Sequence, residues 1–211
     1  MRPEIRRRWI VGITLVVGAA LLGLSLTSRP GSLAFYPLSL ALATVWCVGA
    51  IGSGPLRLGR PRSRTGSWRP AVSAAVLGLL AAAVFIIGAL IVREVPALNA
   101  LTGAVLDHAQ RGLLLPVLLI TIVNGVAEEL FFRGALFAAA ERLHPVLIST
   151  GIYTLTTMAT GNAMLVFASL VLGLILGRQR QVSGTLLGPI ITHVIWSTTM
   201  LLCLPLLISG G

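Results

Sequence analysis

Residues 113–140 read LLLPVLLITIVNGVAEELFFRGALFAAA. This run is long enough to cross a bilayer, which takes about 20 mainly apolar residues in helical form. Its second half nevertheless carries two adjacent acids, Glu128 and Glu129, and a base, Arg133. A polar group in hydrocarbon has no water to turn to, so the backbone has to satisfy its own hydrogen bonds, and only helices and closed barrels do so. A barrel would need alternating strands, and this run does not alternate. The stretch is a spanning helix with charge built into it, and the rest of the chain follows the same rule.

Of the 211 residues, 56% are hydrophobic and only 10% charged, with a mean hydropathy of +0.95. Too few polar side chains exist to cover a soluble globule. The fold class predicted is all-α, a polytopic transmembrane helical bundle of about seven membrane segments: Trp9–Leu26, Leu33–Gly52, Ala71–Val92, Leu113 to about Ala140, Val146–Thr160, Ala163–Gly177 and Thr185–Ile208. The fifth and sixth are short and joined at Gly161-Asn162, which suits either two spans or a re-entrant hairpin. Residues 96–111 are less apolar and predict a helix lying on the outer interface. The N-terminal Arg6-Arg7-Arg8 and the apolar run after it resemble a secretory signal, but the run is longer than a signal core and more spans follow, so it reads as an uncleaved first helix.

All 16 basic residues are arginine, against six acids. On a soluble domain such an excess would suggest nucleic acid. Here the arginines punctuate the apolar segments, as juxtamembrane residues facing anionic lipid do, so membrane lipid is the partner predicted and nucleic acid is not. With the N-terminus cytoplasmic, thirteen arginines fall inside (Arg2, Arg6, Arg7, Arg8, Arg57, Arg60, Arg62, Arg64, Arg69, Arg133, Arg142, Arg178, Arg180) and three outside (Arg29, Arg93, Arg111). The positive-inside rule then gives a multi-pass protein of the cell membrane, with the C-terminus outside if seven segments span. Cys47 and Cys203 sit in apolar runs with neither disulfide nor metal spacing. His108 and His144 read as solvated loop residues, and Gly173-Leu-Ile-Leu-Gly177 as a small-residue helix contact.

An ionisable group inside a membrane segment is a functional hypothesis by default. Glu129 and Arg133, four residues apart, pair along one helix face. Glu128 lies about 100° around the helix, on a face shared with Asn124 and Thr121 at offsets of four and seven. This predicts a polar stripe facing the bundle interior, with Glu128 as a candidate base for drawing a proton from water. A helix-end salt bridge that merely anchors the segment is the alternative. The second polar site is the last segment, where His193 and Ser197 share a face one turn apart. A histidine so placed binds metal, donates to a developing oxyanion, or packs with a partner.

These residues resemble the CPBP (CAAX protease and bacteriocin-processing) family, which includes type II CAAX prenyl endopeptidases and bacterial self-immunity proteins. Its EExxxR motif matches Glu128, Glu129 and Arg133, with Phe131-Phe132 and Gly134 in place. Its last motif resembles Gly184-Thr-Leu-Leu-Gly-Pro189-Ile190 leading to His193 and Ser197, where Ser197 stands for the usual asparagine. Its middle motif, an aromatic followed four later by histidine, corresponds to Tyr153-Thr-Leu-Thr-Thr157, so threonine replaces histidine. The resemblance covers 113–211, the catalytic-type core; residues 1–112 are N-terminal membrane helices and an outer loop, the whole forming one integrated membrane domain.

The resemblance implies an intramembrane endopeptidase that hydrolyses a peptide bond near the cytoplasmic face. By that resemblance Glu128 is the base, His193 the oxyanion donor, Ser197 a weaker donor and Thr157 a degenerate position that cannot relay a proton. Its substrate would be a peptide or membrane protein. Members are often called metalloproteases, and zinc is the cofactor the resemblance suggests; catalytic zinc usually takes three protein ligands, whereas only Glu128 and His193 are offered. A metal-free, glutamate-activated water is therefore expected, in a cavity opening toward the cytoplasm. Two other readings stand beside this one. A non-catalytic binding or self-immunity protein would keep the fold without the chemistry. A small transporter is disfavoured by the absence of paired interrupted helices.

Overall fold

The computed structural model describes residues 3–56 and 69–208. The arginines expected at 57, 60, 62 and 64, and Arg2, lie outside the described residues. Eight helices follow in order: α1 Pro3–Thr27, α2 Phe35–Gly52, α3 Arg69–Val92, α4 Pro96–Arg111, α5 beginning at Leu114–Glu128, α6 Pro145–Thr157, α7 Ala163–Ser183 and α8 Leu187–Ile208. Beyond Glu128, α5 widens into a π-helical stretch, Glu129–Leu136, and closes with one α-turn, Phe137–Ala139.

Among the described residues six helices are long and apolar enough to cross a membrane: those within α1, α2, α3, the whole of α5, α7 and α8. The chain is a multi-pass helical membrane bundle, as its composition requires. The fifth predicted segment is the short one. Its 13-residue α6 is prolonged by a single 3₁₀ turn, Met158–Thr160, and returns through Gly161, whose φ of 66° is open to glycine at little cost. The sixth segment runs six residues past its expected end at Gly177. Helix α7 stops only at Gly184, which takes the left-handed conformation (φ 69°) and donates its N–H to the Arg180 carbonyl. Gly177 instead lets Val146 and Thr150 of α6 approach. Arg180, expected in a loop, is consequently buried inside the helix.

Helix α4 forms where an interfacial helix is predicted, and its N-terminal proline suits the first helical turn. His108, expected in solvent, is buried there: its Nε2 lies 3.2 Å from the Ser28 carbonyl oxygen and its ring 5.0 Å from that of Phe35.

Packing is tightest where side chains vanish. A Cβ at Gly18 of α1 would overlap the Trp46 ring, and one at Gly49 of α2 would overlap Thr14. Trp46 is itself 1% exposed, seated against Phe131 and Phe132 of α5 (ring centroids 4.7 and 5.1 Å). Helix α8 is held to α3 by Thr192, which donates to the Ala74 carbonyl at 2.9 Å. The outward faces carry exposed Val16, Leu80, Val84 and Leu206, the surface a lipid-facing bundle needs.

Gly18→Val is expected to destabilise the bundle by about 1–3 kcal/mol through overpacking against a ring that cannot retreat. Gly12→Val, with open space around it, should change little; thermal unfolding in detergent reads both. Tags at the N-terminus and in 57–69 are expected to report cytoplasm, and a tag between Val92 and Arg111 the outside; a cytoplasmic signal from the last would reverse the topology.

Candidate functional site

The widened part of α5 places an ion pair at the centre of the bundle. Arg133 Nη1 donates to Glu129 Oε1 at 2.8 Å, and neither side chain has any exposed surface. Breaking a buried pair by removing one partner typically costs 3–5 kcal/mol, so the surroundings have to support it. Arg133 Nη2 donates to the Gly173 carbonyl (3.4 Å), and the guanidinium lies 4.8 Å over the Tyr153 ring.

A π-helical turn shifts the backbone ladder, so that the Phe132 carbonyl accepts the Phe137 N–H five residues on, and side chains from two other helices add donors to the carbonyls of this stretch. Ser149 of α6 donates to the Phe132 carbonyl (2.9 Å), and Arg180 Nε of α7 donates to the Arg133 carbonyl (3.1 Å). The sequence signalled Ser149 and Arg180 only faintly. Ser149, Tyr153, Thr156 and Thr157 are a polar line along α6, while Gly173, Gly177 and Arg180 share a face of α7.

His193 joins the cluster from α8. Its Nδ1 lies 2.9 Å from Glu129 Oε1. A carboxylate paired with arginine only accepts hydrogen bonds, so Nδ1 carries the proton and donates. The ring borders the same cavity as Glu128, and among the described residues Nε2 has no hydrogen-bond partner.

Glu128 sits differently from its neighbour. Its Oε2 accepts from the Tyr153 hydroxyl at 2.7 Å, and the carboxylate borders the cavity. Thr121 and Asn124 line that cavity on the same helix face, the stripe expected from the sequence. Tyr153 was recognised only as the aromatic of a motif; its hydroxyl is what orients Glu128. Thr157 also reaches the cavity, but its hydroxyl donates to the Tyr153 carbonyl of its own helix (2.8 Å), and Ser197 likewise donates to Val194 (3.2 Å). Glu128, Tyr153, Thr157, His193 and Ser197 therefore share one chamber, with Glu129 and Arg133 behind it.

The cavity measures about 350 Å³. It extends from Glu128, Tyr153 and His193 toward α4, where Thr102, Val105 and Leu106 line it. The expected opening toward the arginine-rich end is not what the structure shows. That direction is filled by Trp46, Phe131, Phe132, Ala135 and Leu136, all buried.

Glu129 Oε1 is shared by Arg133 and His193 while its Oε2 is buried, and the acid does not border the cavity, so Glu128 and His193 Nε2 are the donors the cavity offers. Among the described residues no three His, Cys, Asp or Glu side chains gather as metal ligands. The donors do not fit the three-ligand set of a catalytic zinc.

Residues 110–199 match the family model described as type II CAAX prenyl endopeptidase Rce1-like. The match bears out the resemblance carried by the motifs, and it points to a membrane protease in general terms. It spans less than half of the chain. No curated protein and no solved structure matches the chain.

Arg133→Met is expected to lower stability by about 3–5 kcal/mol by stranding the Glu129 carboxylate. Arg133→Lys should recover only part of that loss, since an ammonium cannot reproduce the planar fork. Thermal unfolding in detergent measures both.

Proposed function

We propose that this chain is a CAAX-protease-like intramembrane endopeptidase that hydrolyses a peptide bond of a peptide or membrane-protein substrate with a water activated by Glu128. The observation that carries this reading is the unequal use of two adjacent acids. Glu129 is consumed by Arg133 and His193, while Glu128, fixed by the Tyr153 hydroxyl, faces a cavity large enough for substrate and water.

The chemistry follows from the floor of the cavity. Glu128 takes a proton from water as the oxygen attacks the scissile carbonyl carbon, and the protonated carboxyl returns that proton to the departing amine nitrogen as the C–N bond breaks. The oxyanion needs a donor where its charge develops. His193, held through Nδ1 by Glu129 and bordering the cavity beside Glu128, is the group positioned to stabilise it. The Ser197 hydroxyl, one turn along, is a weaker second donor. No nucleophilic serine or cysteine stands beside a base, so a direct attack by water is favoured over a covalent intermediate. Glu128 lies fourteen residues into α5, about 21 Å along the axis at 1.5 Å per residue. That depth, near the middle of the 26-residue span, supports cleavage within the membrane.

A specific observation favours the second reading, a binding or self-immunity protein that has lost catalysis. Thr157 takes the position of the family's histidine, and its hydroxyl is spent on its own helix backbone.

Two substitutions separate the readings. Glu128→Gln should abolish cleavage of a reporter peptide in liposomes while leaving thermal stability equal or higher, because a neutral amide is cheaper to bury than a carboxylate held by one hydrogen bond. Thr157→His, at a position already lining the cavity, should add a proton carrier and raise turnover about 10 to 100-fold. That gain should vanish in the Glu128→Gln background. A folded Thr157→His protein with no cleavage would favour the non-catalytic reading.

A further inference from the structure

Glycine is a poor residue inside a helix, because its backbone has the most freedom to lose and it brings no side chain to pack. At several positions in this bundle packing demands it. A Cβ at Gly18, Gly49, Gly78 or Gly173 would overlap, respectively, Trp46, Thr14, the Thr192 carbonyl or Thr150 of a neighbouring helix. Gly125, inside α5, is different. A Cβ there would stand 3.5 Å from Val194 Cγ2 and 3.9 Å from both His193 Cδ2 and Ser197 Oγ, all on α8. These are ordinary contact distances, and the residue's φ lies outside the left-handed region. Alanine would fit, so packing does not demand glycine.

What lies over Gly125 is the chamber. Thr121, Asn124, Gly125 and Glu128 line it from one face of α5, at the spacing of successive helical turns, and His193 and Ser197 line it from α8. Among these α5 positions 125 alone presents bare backbone. The point where its Cβ would stand is beside both groups proposed to meet the oxyanion, and three residues before the proposed base. His193 Cδ2 is the ring carbon bonded to Nε2, the nitrogen left over when Nδ1 meets Glu129. A bound chain can bring its own backbone closer to these groups over Gly125 than over any side chain.

We infer that Gly125 is a specificity-determining residue: its bare Cα seats the scissile peptide group of the substrate, with the carbonyl oxygen toward His193 and Ser197 and the carbonyl carbon open to the water on Glu128. A methyl group at 125 would hold the carbonyl away from both. What is seated there rests on the endopeptidase reading; the open space over Gly125 does not.

Gly125→Ala separates this role from a structural one. The variant should fold with a melting temperature in detergent equal to or above that of the unsubstituted chain, because the methyl group fits and alanine is the better helix former. Its cleavage of a reporter peptide in liposomes should nevertheless fall about 100-fold, since misplacing a reacting group by about 1 Å can cost that much. The loss should appear in kcat with KM little changed, as when an interaction made only in the transition state is removed. Gly12→Ala, at a helical site facing open space, is the control and should leave kcat as it is. A second measurement needs no catalysis. In a Cys47→Ala, Cys203→Ala background, Ser197→Cys is treated with methyl methanethiosulfonate, which adds a single S–CH3 group. The thiol should react, and adding Gly125→Ala should slow the reaction several-fold. Undiminished cleavage by Gly125→Ala, a lowered melting temperature, or a labelling rate that Gly125→Ala leaves unchanged would each overturn the inference. So would a folded Ser197→Cys protein that does not react. Should the unsubstituted chain cleave no reporter while Gly125→Ala still slows the labelling, the endopeptidase reading fails and the space over Gly125 stands as a binding position.

Discussion

A guanidinium and a carboxylate with no exposed surface lie at the centre of a bundle whose solvent is lipid. Taking two such charges out of water carries an effective penalty of several kcal/mol per ion, offset only where geometry is good and the remaining donors and acceptors are met. Most of the local architecture follows from that requirement. Gly173 lets α7 come close enough for its carbonyl to accept from Arg133, and Tyr153 turns its ring to the guanidinium. The π-helical widening of α5 sets Glu129 and Arg133 at 2.8 Å, and the carbonyls of Phe132 and Arg133 are met by Ser149 and Arg180. With His193 of α8 also on Glu129, four helices are thereby committed to one electrostatic centre, and the aromatic cluster fills the space around it.

The same centre makes two neighbouring acids unlike. Successive residues on a helix point about 100° apart, so Glu129 is directed into the ion pair and Glu128 beside it into the chamber. Catalytic sites often use two similar groups in unequal surroundings, one held in place and one left able to exchange a proton. Here the division is made by a single residue step along the helix and by His193, which binds the structural acid through Nδ1 and leaves Nε2 on the side of the other.

The membrane class and the spans were legible because hydrocarbon admits so few backbone solutions, and the Glu129–Arg133 pair was legible from its spacing. Less was readable where a residue's partner is distant in sequence. Arg180 counts as a loop arginine by position, yet it is buried because helix α7 continues to Gly184. His108 looked solvated because nothing local shows that the turn after α1 would lie against it. The direction of the cavity was missed for a related reason. Acids near the end of a segment suggest an opening at that end, but Phe131, Phe132 and Leu136 follow them on the same helix and fill the space, and the cavity extends instead toward α4. The site's depth was in the sequence; its exit was a matter of packing between helices.

Thr157 bears on whether this geometry is used. A carboxylate bordering an apolar cavity and supported by a single phenol hydroxyl is costly to keep. In a protein that only binds, Gln at 128 would retain the Tyr153 contact at lower cost, so the acid is explained more simply by chemistry than by structure. The threonine is explained by structure, since its hydroxyl caps a carbonyl of its own helix next to the 3₁₀ turn. Under the proposed hydrolysis, the position that separates a catalytic chamber from a merely binding one is thus 157 and not 128, because Glu128 stays oriented by Tyr153 and His193 stays held by Glu129 whichever side chain stands at 157.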